Sequence, residues 1–440
     1  MRDSTPRPPG PDWGSLAASR RRRRDYLGML TEVAAGHPRI AYVRLLNKPV
    51  YLVSDPELAR ELLVARARAV KKGRGFQRAA TPFLGAGLLT NEGEVHRRHR
   101  RLLQPAFHKE RVRAYGDLMV AATLRLPWTE GGRVDITEEM GRLTLAIVAG
   151  ALFGADLADA QMQHARAALN EFVANFNGLQ RARLPGLGRR HAARSRERFD
   201  AVITQLLRRR HQEETFLAML LDSGLSDVEI LDEARAFVTA GHESTANMLV
   251  WALWLLHRHA GVADRLHAEV DALPDTPTTA DYPRLPYTRA VAAESLRLYP
   301  PLYVLGRRAR EPFTLDGWPV QAGDRLLTSP WVIHRDVRWW GPDATRFRPE
   351  RWLDSAGQFA EHNPGQPRAA YFPFGVGPRV CIGEAFGWLE AVLVIATLAR
   401  QWRPVIGREP RPRPSFTLRT DGPVIAQLQR RTAADRAALS

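Results

Sequence analysis

Residues 231–260 read LDEARAFVTAGHESTANMLVWALWLLHRHA, and they constrain the chain more than any other stretch. Their apolar side chains recur on more than one helical face, so the helix they form should run through the core rather than lie on it. AGHEST (240–245) interrupts that run with a glycine, a carboxylate and two hydroxyls. Glycine inside a helix costs about 1 kcal/mol, and burying the polar groups adds a desolvation cost. One account is a polar kink that faces water. The other is a functional groove, since helices open locally at functional sites.

The remainder predicts a protein built around that helix. At 440 residues the chain can bury a large core, and its hydrophobic (45%) and charged (25%) fractions are those of a globular protein. IAYVRLL (40–46) and PVYLVS (49–54), joined at Asn47 and Lys48, predict a small sheet. From Pro56 onward helical periodicity dominates. DYPRLPYTRAVAAESLRLYPP (281–301) predicts a helix that ends at Pro300–Pro301. Residues 313–330 predict short strands and turns, and 335–370 are irregular and rich in Trp, Pro and Arg. GEAFGWLEAVLVIATLARQW (383–402) predicts a second apolar helix. No repeat or linker divides the chain. The expectation is one domain over 1–440, mainly α with a small β part, behind a flexible Pro-rich lead at 1–15.

The net charge is +17, and with only four lysines (48, 71, 72 and 109) nearly all the basic residues are arginine. They are spread along the chain instead of forming one basic module, which argues against nucleic-acid binding and for an acidic partner on one face. The N-terminus lacks the apolar run of about 7–15 residues that a secretory signal needs and the run of about 20 that a membrane anchor needs. Arg20 to Arg24 read as a solvated helix start, with electrostatic contact to lipid as the alternative. The expected protein is soluble, cytoplasmic and monomeric.

Cys381 is the single cysteine, in FPFGVGPRVCIGEAF (372–386). One thiol forms no internal disulfide and no Cys-rich zinc site. A buried hydrophobe, a nucleophile and a single metal ligand remain. Gly375 and Gly377 permit a tight backbone path, and a helix beginning near Gly383 would aim free N–H groups at the sulfur and stabilise a thiolate. Arg379 could pair with an anion beside it. A nucleophile would want a histidine within reach, and the 13 histidines leave that open. A thiolate bound to haem iron needs no second protein ligand and would give Arg379 a propionate partner.

FPFGVGPRVCIG sets Phe374, Gly377, Arg379, Cys381 and Gly383 in the register F-x-x-G-x-R-x-C-x-G, and in this it resembles the haem-binding loop of the cytochrome P450 family. Three further stretches carry the resemblance, which extends over nearly the whole chain. It implies the cytochrome P450 fold, with haem b buried between the long central helix and the Cys-loop helix and Cys381 as the axial ligand of the iron. Glu294 and Arg297, at i and i+3 on one helix face, are similar to a structural pair that locks with an arginine of FRPERW (347–352), here Arg351. AGHEST resembles the family's oxygen groove. There Glu243 would help to deliver protons and Ser244 would be the first choice for the alcohol, with Thr245 second; the family's usual threonine is a serine here and lacks the stiffening β-branch. GEVHRRHRRLLQPAF (93–107) resembles the segment whose side chains contact haem propionates. His96 and Arg100 match it, with His99 as the alternative, and Arg307 of GRRAR is a further propionate partner, with Arg308 as its neighbour.

The resemblance implies a haem-thiolate monooxygenase that hydroxylates or epoxidises a lipophilic small molecule, a terpenoid, fatty acid or polyketide-like natural product. It would use O2 and electrons from NAD(P)H, passed by a separate ferredoxin and ferredoxin reductase to a basic face with Arg338, Arg346, Arg348 and Arg379. Phe172, Phe176, Ala240 and Val304 are the candidate substrate-pocket residues. The rival readings are a peroxide-using hydroxylase, which should lack the acid–alcohol pair, a ring-coupling enzyme of the same family, and a non-catalytic haem-thiolate ligand-binding protein.

Overall fold

The computed structural model describes residues 6–11, 25–45, 48–154, 159–181, 185–208, 215–362 and 366–432. They fall into two compact units, one of Met1–Gln77, Arg297–Arg346 and His362–Cys381, the other of Arg78–Leu296, Phe347–Glu361 and Ile382–Ser440.

The first unit is built on a five-stranded sheet in the order Ile40–Leu45, Lys48–Val53, Arg325–Thr328, Leu305–Ala309, Val70–Lys72. Its pairings are antiparallel except that of Lys48–Val53 with Arg325–Thr328. Strand alternation explains why both faces are covered. Tyr51 and Val53 point into a cluster with Leu58, Leu62 and Leu326. Val50 and Leu52 point into another with Met29, Leu30 and Val33 of the helix Tyr26–Gly36. The two strands predicted near the N-terminus form the start of this sheet, with Lys48 inside the second strand rather than at the turn.

The second unit surrounds the central helix, Asp227–Arg258. Ser226 starts it with a capping box: its hydroxyl accepts from the Glu229 backbone while the Glu229 carboxylate accepts from the Ser226 N–H. At 32 residues the helix is about 48 Å long. It is buried on several sides, with Trp251, Leu249 and Ala252 sealed from solvent. It packs against Ile136–Phe153 and Glu384–Gln401. Gly241 lies at the first contact, where a β-carbon would come within 2.9 Å of Val148 Cγ2. Close packing therefore explains the glycine. The expected local opening at 240–245 is corrected: the helix runs through these residues unbroken. Ser244 and Asn247 instead donate from their side chains to the carbonyls of Ala240 and Glu243, four residues back, at 2.7 Å each. Trp402–Ile406, Ile425–Arg430 and Arg133–Asp135 form a three-stranded sheet, and Pro412–Pro414 with Leu418–Thr420 a separate hairpin.

Candidate active site

In the first unit the cysteine loop is fixed by its backbone. Gly375 and Gly377 take φ of +78° and +81°, which favour glycine. A β-carbon on Gly377 would meet the Leu63 carbonyl oxygen at 2.4 Å. The Cys381 N–H donates to the Phe374 carbonyl at 2.9 Å and the Val380 N–H to Gly377 at 2.9 Å, so the chain folds back on itself and the Cys381 side chain is left exposed. Phe374 and Arg379 are half-buried. His334 braces the start of the loop: its Nε2 accepts the Phe372 N–H at 3.0 Å, which requires a neutral ring, and burial beside Arg297 and Arg335 holds its pKa well below the usual histidine range. Arg307 sits half-buried in the strand Leu305–Ala309, while its neighbour Arg308 donates to the Gly323 carbonyl at 3.1 Å.

An exposed thiol on a rigid loop, with arginines as anion partners, fits the donor set of a thiolate-bound haem. The buried-hydrophobe reading of the cysteine does not survive its exposure.

In the second unit the helix Gly93–Leu103 buries His96 and leaves Arg100, one turn on, half-exposed. His99 points elsewhere. It is fully buried, with Nδ1 2.5 Å from Glu233 and Nε2 3.3 Å from Glu229. The hydrogen bond to Glu233 raises its pKa, outweighing burial. Its ring nitrogens are thus committed to carboxylates, which leaves His96 and Arg100 as the candidates for a propionate.

Glu294 is sealed from solvent. Its Oε1 accepts from Arg351 Nε at 3.0 Å and from the Arg348 N–H at 2.9 Å, and its Oε2 from Trp352 Nε1 at 2.8 Å. Arg297, on the same helix Pro286–Leu298, caps carbonyls within the first unit: His334 at 2.6 Å, Ala344 at 2.5 Å and Arg346 at 3.1 Å. Its guanidinium also lies over the Trp340 ring.

Along the central helix Ala240 is exposed and Ser244, one turn later, is half-exposed on the same side. Thr245 is buried toward Glu390 of the helix Glu384–Gln401. Among the described residues, neither Glu390 carboxyl oxygen accepts a hydrogen bond of good geometry. Burial drives the pKa of this group well above the usual carboxylate range, eased by the Thr245 hydroxyl. Glu243 is buried with two hydrogen-bond donors beside it, Thr417 Oγ1 at 2.8 Å and Asn247 Nδ2 at 3.1 Å, and it forms an ion pair with Arg419, whose Nε lies 3.2 Å away. His242, beside it, is pushed down to about 3 by burial and by Arg166 and Arg419, and faces the Thr144 hydroxyl at 2.9 Å.

The pocket candidates are more dispersed. Phe172 is a core aromatic, 2% exposed, stacked on Phe83 with centroids 4.3 Å apart. Val304 packs against a core cluster of the first unit. The Phe176 side chain lies outside the described residues. Asn247, Thr417 and Glu390 escaped the sequence reading; the turn near 419–421 reads as pocket lining, without the contact of Arg419 to Glu243. Asn247, at i+4 from Glu243, and Glu390, the lone acid of an apolar run, carry a local signal; Thr417 and Arg419 meet Glu243 only through the fold.

Comparison with known proteins gives one family. The Cytochrome P450 family model matches residues 5–421. Cyclooctatin synthase of Streptomyces melanosporofaciens is 36% identical over 413 residues, covering 88% of each chain. Cyclooctat-9-en-7-ol 5-monooxygenase of the same organism is 34% identical over 394 residues, covering 84% of each. The crystal structure of CYP175A1 from Thermus thermophillus superposes with a TM-score of 0.77 at 28% identity, covering 94% of this chain and 97% of that one.

Proposed function

We propose, on the premise that this chain belongs to the cytochrome P450 family, that it hydroxylates a hydrocarbon-rich terpenoid. The chain is a haem-dependent monooxygenase that uses O2 and NAD(P)H-derived electrons from a separate redox partner and acts on a lipophilic small molecule. Haem, when bound, supplies the oxidising chemistry that side chains lack.

In this reading Cys381 donates its thiolate from the glycine loop, with Phe374 and Gly383 shaping that loop. His96, Arg100, Arg307 and Arg379 hold the haem carboxylates. Glu294, Arg297 and Arg351 are structural; removing one partner of a buried ion pair typically costs about 3–5 kcal/mol. Ser244 presents its hydroxyl beside Ala240 on the open side of the helix, and Glu243 takes up and passes on protons. Arg400 and Arg431 serve the fold: Arg400 donates to the Val270 and Leu273 carbonyls, and Arg431 to the Asp271 carboxylate and the Ala399 carbonyl. The electron donor is a ferredoxin with its reductase. The protein works as a monomer in the cytoplasm, as one catalytic domain; among the described residues no helix is long and apolar enough to cross a membrane.

The substrate class rests on a relative that oxidises cyclooctat-9-en-7-ol, a ring alcohol, and spans 84% of this chain. The test sets polycyclic terpene alcohols against long-chain fatty acids. Terpenoids should shift the Soret band and, with a surrogate ferredoxin pair and NAD(P)H, give a product one oxygen atom heavier. Binding and oxidation of the fatty acids alone would overturn the proposal.

A further inference from the structure

Glu243 is aimed by more than its own helix. Thr417, Asn247 and Arg419 all converge on one carboxylate oxygen, Oε1. Neither hydrogen bond reaches Oε2. Two of the three partners belong to the C-terminal hairpin, Pro412–Pro414 with Leu418–Thr420 and the turn between them. That hairpin is itself tied to the helix Asp159–Arg181: Ser415 Oγ donates to the Val173 carbonyl at 3.2 Å, Arg419 donates to Asn170 Oδ1 at 3.2 Å, and the Phe416 ring meets Phe172 edge-on at 5.5 Å. Glu243 also borders a polar cleft of about 190 Å³, lined further by Asp135, Glu138, Arg166 and His242. A water molecule takes about 30 Å³ of liquid volume, so the cleft has room for several.

We infer that Thr417 and Arg419 are positioning residues for the acid: the hairpin pins Oε1, leaves Oε2 to exchange protons, and keeps the carboxylate at the edge of the cleft that hydrates it. The inference rests on the proposed role of Glu243 as the proton-handling acid. A second cation, Arg166, lines the same cleft and pairs with Glu138 at 3.1 Å. Without the hairpin partners the Glu243 carboxylate has a competing partner there, and its direction is no longer set. His242 does not substitute for it, because its ring is neutral and turned to Thr144. Since the hairpin also touches Phe172 and Val173, a shift of the helix Asp159–Arg181 reaches the acid through Thr417 and Arg419.

The experiment uses the full-length haem-loaded enzyme with a surrogate redox pair and an oxidised substrate. It compares Thr417→Val and Arg419→Gln with Arg413→Gln, a control on the same hairpin whose exposed side chain pairs with Asp421 at 3.6 Å. The readouts are the fraction of NAD(P)H electrons lost as peroxide and the solvent isotope effect on turnover. The two positioning variants should raise the peroxide fraction several-fold and enlarge the isotope effect, at unchanged haem content, while the control matches wild type. A purely structural role would lower haem content or total turnover and leave the partition alone. Independently of turnover, thermal midpoints of Glu243→Gln, Arg419→Gln and the double variant should be non-additive. Wild-type partition in both positioning variants, beside an altered partition in Glu243→Gln, overturns the inference alone; so do additive midpoints. Wild-type partition in Glu243→Gln overturns the role of Glu243 and the inference with it.

Discussion

Ser244 and Thr245 are neighbours in sequence but face different surroundings, because successive helical residues are turned by about 100°. Ser244 shares the open side with Ala240, whereas Thr245 is buried toward Glu390, whose pKa is raised by burial. Ser244→Ala should therefore raise peroxide release per NAD(P)H consumed while the thermal midpoint stays near wild type. Thr245→Val removes a hydroxyl that eases the burial of Glu390 and should cost about 1–3 kcal/mol of stability, with less effect on peroxide. The opposite pattern would assign the oxygen-side alcohol to Thr245. His99 gives a prediction in pH. Its folded-state pKa is raised by Glu233 and Glu229 above the usual histidine value of 6.5, so the proton-linked stabilisation is fully present below about 6.5 and is lost as pH rises through the higher folded value. The thermal midpoint of wild type should exceed that of His99→Gln most at mildly acidic pH, and the gap should narrow on the alkaline side. A gap that widens with pH would show that the ring is buried neutral.

The cysteine loop is an element whose sequence already dictated its shape, and its two glycines are not equivalent. Both adopt positive φ, a strain of about 1–3 kcal/mol for most other residues. At Gly375 a β-carbon has its nearest neighbour at 3.8 Å, but at Gly377 it strikes backbone at 2.4 Å. Gly377→Ala should lose most haem binding, and Gly375→Ala should retain it at reduced stability, read from haem-to-protein absorbance after purification. Equal haem content in the two variants would mean that the loop yields where Leu63 now blocks it. The same contrast shows what a sequence can disclose. The loop, the central helix and the strands at 40–53 were legible because turn chemistry and periodicity are local. The strand Leu305–Ala309 was not: GRRA reads as a basic motif, and only pairing with Val70–Lys72 and Arg325–Thr328 makes it a strand. Gly241 read as a point where the helix opens, yet it serves contact with Val148, a residue some ninety positions earlier.

At the scale of the whole molecule the charge is the dominant feature. A net charge of +17 attracts an acidic partner over distances set by salt, about 10 Å at 0.1 M ionic strength and about 3 Å at 1 M. Arginines do not contribute equally to such a field. Arg338 is exposed but bound to Asp336 through Nε at 2.9 and 3.0 Å, so its charge is locally cancelled. Arg346 is also exposed, and it is the stronger candidate for steering the proposed acidic redox partner. Reversing Arg346 to glutamate should slow reduction by that partner at low salt and flatten its salt dependence, since encounter rate is where long-range charge acts. Arg338→Glu should do less, because part of the field it would remove is already absent. Stopped-flow reduction of the haem protein across an ionic-strength series measures both variants. A rate that does not change with salt in the wild-type protein would move the docking surface away from these arginines, whatever the variants do.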